Sequence, residues 1–156
     1  METTETRIYT IEVEDQFTGW RDVIDVYLTD EQVLELTALC EPKFLYKHLH
    51  DAVVGKCTTS RADGDKYFAK SLELCGFKLS LQVNYYVWRM RDDKEADHHA
   101  LITEDEFNCA VPSAESRSWI DVRIMYGDKH IYTGQMSLTM VADRFRELLD
   151  TGSVDF

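Results

Sequence analysis

Two prolines and seven glycines in 156 residues leave little room for a flexible linker or a low-complexity segment. Phosphate-cradling loops need several glycines at fixed spacing, and no G-x-x-x-x-G-K-[ST], G-x-G-x-x-G or G-x-S-x-G segment occurs. Nucleotide chemistry and glycine-framed nucleophiles are therefore not expected. Cysteine is sparse as well. Cys40, Cys57, Cys75 and Cys109 are never closer than seventeen residues and form no C-x-x-C pair. They read as four buried, reduced thiols rather than as a zinc site or a disulfide framework. No segment approaches the roughly eighteen apolar residues of a membrane span. The opening Met-Glu-Thr-Thr-Glu-Thr lacks the basic and apolar regions of a signal peptide, so a cytoplasmic location is expected.

Positive charge is scarce too. Seventeen Lys and Arg face twenty-nine Asp and Glu, a formal net charge of -12. Direct contact with nucleic acid or an anionic membrane would be repelled. The deficit is uneven: Met1 to Glu41 carries eleven acids and two bases (-9), whereas Pro42 to Arg91 carries four acids and nine bases (+5). Asp92 to Glu106 returns to seven acids and one base (-6), and Phe107 to Phe156 has seven and five (-2). Two separate acidic blocks in a chain otherwise rich in apolar residues fit surfaces that meet a basic partner.

With 44% hydrophobic and 12% aromatic residues, the chain has the material for one core and one domain spanning residues 1–156. Arg7 to Asp15 and Trp20 to Leu28 alternate, with Tyr9, Ile11, Val13, Ile24, Val26 and Leu28 inward, which predicts an antiparallel hairpin. Thr29 and Gln32 form a capping box for a helix running to about Cys40, with Asp30 and Glu31 at its positive end. Pro42 opens a second helix that ends at Gly55. Lys66 to Cys75 suits either a short helix stopped by Gly76 or a strand, and the helix is favoured. Phe77 to Met90 is the clearest strand, with a break of parity at Trp88 and Met90. Arg91 to Arg117 shows no strand signal; a capping box at Thr103 and Glu106 predicts a short helix there. Trp119 to Tyr126 and His130 to Leu138 flank a Gly127-Asp128-Lys129 turn as a second hairpin, after which Thr139 opens a last helix closed by Gly152. The expected fold is α+β: an antiparallel sheet of about five strands, built from the two terminal hairpins and the long middle strand, with helices mainly on one face.

Catalytic or metal-binding patterns are weak. His98 and His99 lie among acids near Cys109, but adjacent histidines share no helix face and H-E-x-x-H is absent, so no metal or other cofactor is expected. His48 reads as an edge-of-core side chain answering Asp51 three residues on. Tyr85, Tyr86, Val87 and Trp88 read as the packed centre of a strand. Twenty-nine acids supply carboxylate pairs everywhere, so none is assigned as general acid or base.

What this leaves is a non-enzymatic acidic protein. The function expected is that of an inhibitor occupying a basic surface of a nucleic-acid-handling or toxic protein, as toxin-immunity proteins and nucleic-acid-mimicking counter-defence proteins of phage do. Candidate partner-binding residues follow from the alternation: Glu12, Glu14, Asp25 and Tyr27 on the first hairpin, and Asp30, Glu31 and Glu35 on the first helix. The second acidic block adds Asp92, Asp93, Asp97, Glu104, Asp105 and Glu106. The competing expectation is a small enzyme or ligand-binding domain with a pocket between sheet and helices, and His48, Tyr85 or Trp88 at its mouth.

Overall fold

The computed structural model describes residues 5–14, 18–55, 58–60, 66–84, 86–89, 98–101 and 119–156. The first hairpin forms as the alternation requires. Strand β1 (Thr6–Glu14) pairs antiparallel with β2 (Arg21–Thr29), from Thr6 opposite Thr29 to Glu14 opposite Arg21. The Thr29 hydroxyl then accepts from the Gln32 N–H at 3.2 Å and the Gln32 amide oxygen accepts from the Thr29 N–H at 3.0 Å, which starts α1 (Asp30–Leu36). Removing this reciprocal cap in Thr29→Ala should cost about 1 kcal/mol, read as a lower urea midpoint; an unchanged midpoint would contradict the cap's role. The helix tightens into a 3-10 turn over Thr37–Cys40, and Pro42 begins α2 (Pro42–Val54), whose buried side is Leu45, Leu49, Ala52 and Val53.

Four expectations are corrected. Lys66–Leu74 is a strand, β4, following the short β3 (Thr58–Ser60), not a helix. It pairs with β5 (Phe77–Asn84) from Tyr67 opposite Asn84 to Leu74 opposite Phe77. Gly76 belongs to the two-residue turn of that hairpin, not to a helix end: Cys75 (φ 51) and Gly76 (φ 86) both take positive φ, the requirement of a turn whose twist matches the strands. The long strand stops at Asn84, and Tyr86–Arg89 (β6) pairs instead with β7 (His98–Leu101), a strand inside the segment that showed no strand signal. The last helix begins two residues earlier than expected, because Ser137 rather than Thr139 is its cap: the Ser137 hydroxyl accepts from the Met140 N–H at 3.2 Å. The helix expected near Thr103 lies outside the described residues.

β8 (Ile120–Tyr126) and β9 (Lys129–Met136) form the second hairpin, and α3 (Leu138–Thr151) ends at Gly152 in the left-handed conformation (φ 82). A final strand, β10 (Ser153–Asp155), lies parallel to β1. Among the described residues the sheets are β10-β1-β2, β3-β4-β5-β8-β9 and the β6-β7 pair. The fold is α+β with a five-stranded antiparallel sheet, and the N-terminal hairpin stands apart from it with β10.

One core joins these parts. Phe77, Leu79 and Leu81 of β5 and Val122 and Ile124 of β8 point to the helices, while Lys78, Ser80 and Gln82 line the opposite face of the sheet. Phe145 of α3 meets Phe77 edge-on at 5.3 Å between ring centroids and Phe156 at 6.2 Å. From the other side Tyr9, Ile11, Ile24, Val26, Leu28 and Val154 complete the same cluster.

Candidate acidic face

The two-residue period of β1 and β2 sends one set of side chains into the core and the other to solvent. The outward set on β1 is Ile8, Thr10, Glu12 and Glu14, and on β2 it is Arg21, Val23, Asp25 and Tyr27. Asp155 of β10 stands beside Glu12 on the same face. Four predicted residues, Glu12, Glu14, Asp25 and Tyr27, are thus exposed on one surface, and Asp30, Glu31 and Glu35 are exposed on the helix that follows. The other predicted group, Asp92, Asp93, Asp97, Glu104, Asp105 and Glu106, lies outside the described residues.

Periodicity alone missed two features of this face. It is not uniformly acidic, because the Arg21 guanidinium reaches Asp155 at 2.5 Å and Glu12 at 3.2 Å, and Arg7 lies 3.5 Å from Asp30. Such exposed pairs contribute little stability but lower the local negative potential. Glu14, Asp25 and Glu31 carry no ion pair among the described residues. The face is also partly apolar: Ile8 and Tyr27 sit directly opposite each other and are exposed, as is Val23. Trp20, at the entrance to β2, is 77% exposed. The face thus exposes aromatic and aliphatic groups among its carboxylates.

Glu35 has a partner in the fold. Its carboxylate accepts from the Cys75 thiol at 3.3 Å, across from the β4–β5 turn. Burial, and then the hydrogen bond and negative charge of Glu35, push the Cys75 thiol from its ordinary 9.0 up to about 11. At pH 8 the reactive thiolate is then about a hundredfold scarcer than in an unperturbed cysteine. We expect alkylation of Cys75 to be correspondingly slow and to keep rising tenfold per pH unit beyond pH 9. Glu35→Gln should bring the levelling point down; a rate that already levels near pH 9 in the unmodified protein would contradict the shift. Cys40 is buried and its thiol is likewise pushed up, chiefly by burial. Cys40 and Cys75 are unpaired thiols, as the sequence predicts, although Cys75 is only half-buried; Cys57 and Cys109 lie outside the described residues.

The features that would support a catalytic pocket sit elsewhere. The His48 ring nitrogen meets the Lys70 backbone carbonyl rather than Asp51, tying α2 to β4. A groove of about 250 Å³ lies on the face of the five-stranded sheet opposite the buried side chains, lined by Ser71, Lys78, Ser80, Gln82, Arg123 and Met125, and none of His48, Tyr85 and Trp88 lines it. Tyr85 and the Trp88 side chain lie outside the described part of the structure. Among the described residues no three His, Cys, Asp or Glu side chains gather as metal ligands, and no helix is long and apolar enough to cross a membrane. Comparison with known proteins gives no match: no protein-family model, no curated protein and no solved structure resembles this chain significantly.

Proposed function

We propose that this chain is a non-enzymatic acidic inhibitor that covers a basic surface of a nucleic-acid-handling or toxic protein, using the outward face of β10-β1-β2 and the start of α1. The observation that carries this reading is the gathering of Glu12, Glu14, Asp25 and Asp155 around exposed Ile8, Val23 and Tyr27 on one sheet face. Carboxylates two residues apart on a strand recur every 6–7 Å or so. They meet Arg and Lys through charge-assisted hydrogen bonds, while the net charge of -12 steers a cationic partner and repels nucleic acid. The aliphatic and aromatic groups between them supply apolar contact that charge alone lacks. In this reading the partner is a basic protein in the cytoplasm, and no cofactor takes part.

The test is charge reversal. Glu12, Glu14, Asp25 and Asp30 to Lys adds two units at each of four sites and changes the Met1–Glu41 balance from -9 to -1. Association with a basic partner captured at low salt should slow at least tenfold, and the difference should shrink near 0.15 M salt, where the Debye length is about 8 Å. A matched set, Asp92, Asp93, Asp97 and Glu104 to Lys, tells whether the second acidic block acts with the first. If neither set alters binding while circular dichroism stays native, the acidic-inhibitor reading is wrong.

A further inference from the structure

The hydrogen-bond pattern of the small sheet identifies which backbone groups on the margin strand β2 lack a partner among the described residues. Along β1, the Thr10 N–H donates to the Gly152 carbonyl at 3.0 Å and the Glu12 carbonyl accepts from the Phe156 N–H at 3.0 Å. Thr10 and Glu12 therefore turn their backbone toward β10, and Tyr9, Ile11 and Val13 turn theirs toward β2. Their opposites on β2 are Val26, Ile24 and Asp22. By the same alternation Val23, Asp25, Tyr27 and Thr29 point their N–H and C=O groups away from β1, to the margin of the sheet. Two of these four N–H groups are already taken by side chains. Val23 donates to the Asp22 carboxylate at 2.9 Å, and Thr29 donates to the Gln32 amide oxygen at 3.0 Å. Between these two plugs the Asp25 and Tyr27 groups have no partner among the described residues, and both side chains are exposed.

A row of unpaired strand backbone is a template for another strand, and folded proteins blunt such margins. Here both ends are blunted and, among the described residues, the middle is open. We infer that the margin of β2 at Asp25 and Tyr27 is a strand-addition site that accepts a short, extended, basic segment of a partner protein. This deepens the proposed function and rests on it for the partner's charge. A residue opposite Asp25 in antiparallel register would exchange two backbone hydrogen bonds with it, and the residue two further on would do the same with Tyr27. Side chains at those two positions would emerge on the acidic face, where a Lys or Arg meets Asp25. The alternate positions would emerge on the side of Ile24 and Val26, where aliphatic residues extend the core. The occupant is thus a segment in which basic and aliphatic residues alternate. A second copy of this chain is opposed by its own charge of -12.

The experiment uses the full chain, labelled with nitrogen-15, and a ten-residue synthetic peptide alternating lysine and valine. On adding the peptide, exchange of the Asp25 and Tyr27 amide protons should slow at least tenfold, while Val23 and Thr29, already bonded, should change little. Tyr27→Pro removes one of the two open donors without removing a bond to β1. It should weaken peptide binding at least tenfold. Unchanged affinity in a natively folded Tyr27→Pro protein would overturn the inference, and should that variant not fold, the exchange measurement on the unmodified protein decides alone. Peptide binding without protection at Asp25 and Tyr27 would overturn strand addition yet leave the acidic-face reading standing. Equal protection by a peptide alternating glutamate and valine would overturn the basic partner. Protection that rises with protein concentration alone would assign the margin to a second copy instead.

Discussion

Replacing Phe145 with alanine is expected to lower the unfolding free energy by about 3–5 kcal/mol, a large share of the roughly 5–15 kcal/mol typical of a whole domain. Phe145 is 0% exposed and lies on the side of α3 that also buries Leu138, Val141, Ala142 and Leu148. Its ring meets Phe77 of the five-stranded sheet and Phe156, which follows the last strand of the small sheet. A cavity there removes contacts to both sheets at once, and backbones fixed by their ladders cannot collapse to fill it. Urea unfolding measures the loss; a midpoint change worth less than 1 kcal/mol would mean that α3 does not join the two sheets through this ring.

The second large effect concerns β10. Val154 is 3% exposed, and its side chain enters the core beside Ile11, its register partner on β1. Val154→Asp would place a carboxylate where the neighbours are apolar. Burying a polar group without a hydrogen-bond partner costs about 2–7 kcal/mol, and a charge costs more. We expect a loss of about 3 kcal/mol or more, unless β10 peels from β1. Peeling would release the Thr10 N–H and the Glu12 carbonyl and separate Asp155 from Arg21. Thermal unfolding followed by circular dichroism measures the loss, and exchange of the Thr10 amide proton distinguishes the two responses. A variant with unchanged melting temperature and a still-protected Thr10 amide would show that Val154 is not part of the core.

How much of this was legible in the sequence depends on the range of the interaction. The Thr29–Gln32 box, Pro42 at the start of α2 and the Gly152 stop are each decided within four residues, and each is found where the sequence places it. The inward set of the first hairpin is likewise a local pattern, because a one-residue slip would turn Ile11 and Val26 to water. Ser137 and Thr139 both offer a capping hydroxyl two residues apart, so residue type alone does not choose between them. The backbone settles the choice, since β9 ends at Met136 and Ser137 is extended (φ -77, ψ 161) while its hydroxyl reaches the Met140 N–H.

The candidate site divides the same way. That Glu12, Glu14, Asp25 and Tyr27 face outward together follows from a period of two and from the hairpin that joins their strands. That Arg21 is shared between Glu12 and Asp155 depends on the tertiary structure, because Asp155 sits 134 positions from Arg21 and arrives only when β10 pairs with β1. Glu35 gains its thiol partner, Cys75, across forty residues by the same kind of encounter. Lys66 to Leu74 carries apolar residues that suit both periods, so its own composition cannot choose. Eight cross-strand pairs with β5 and a turn that needs positive φ at Cys75 and Gly76 make it a strand. The sequence by itself therefore determined the Thr29 cap, the Pro42 start, the Gly152 stop, the inward and outward sides of the first hairpin and the net charge. The tertiary structure decided which strands share a sheet, where charge is cancelled and which margin is left open, because those depend on backbone hydrogen bonds and ion pairs between residues that meet only once the chain has folded.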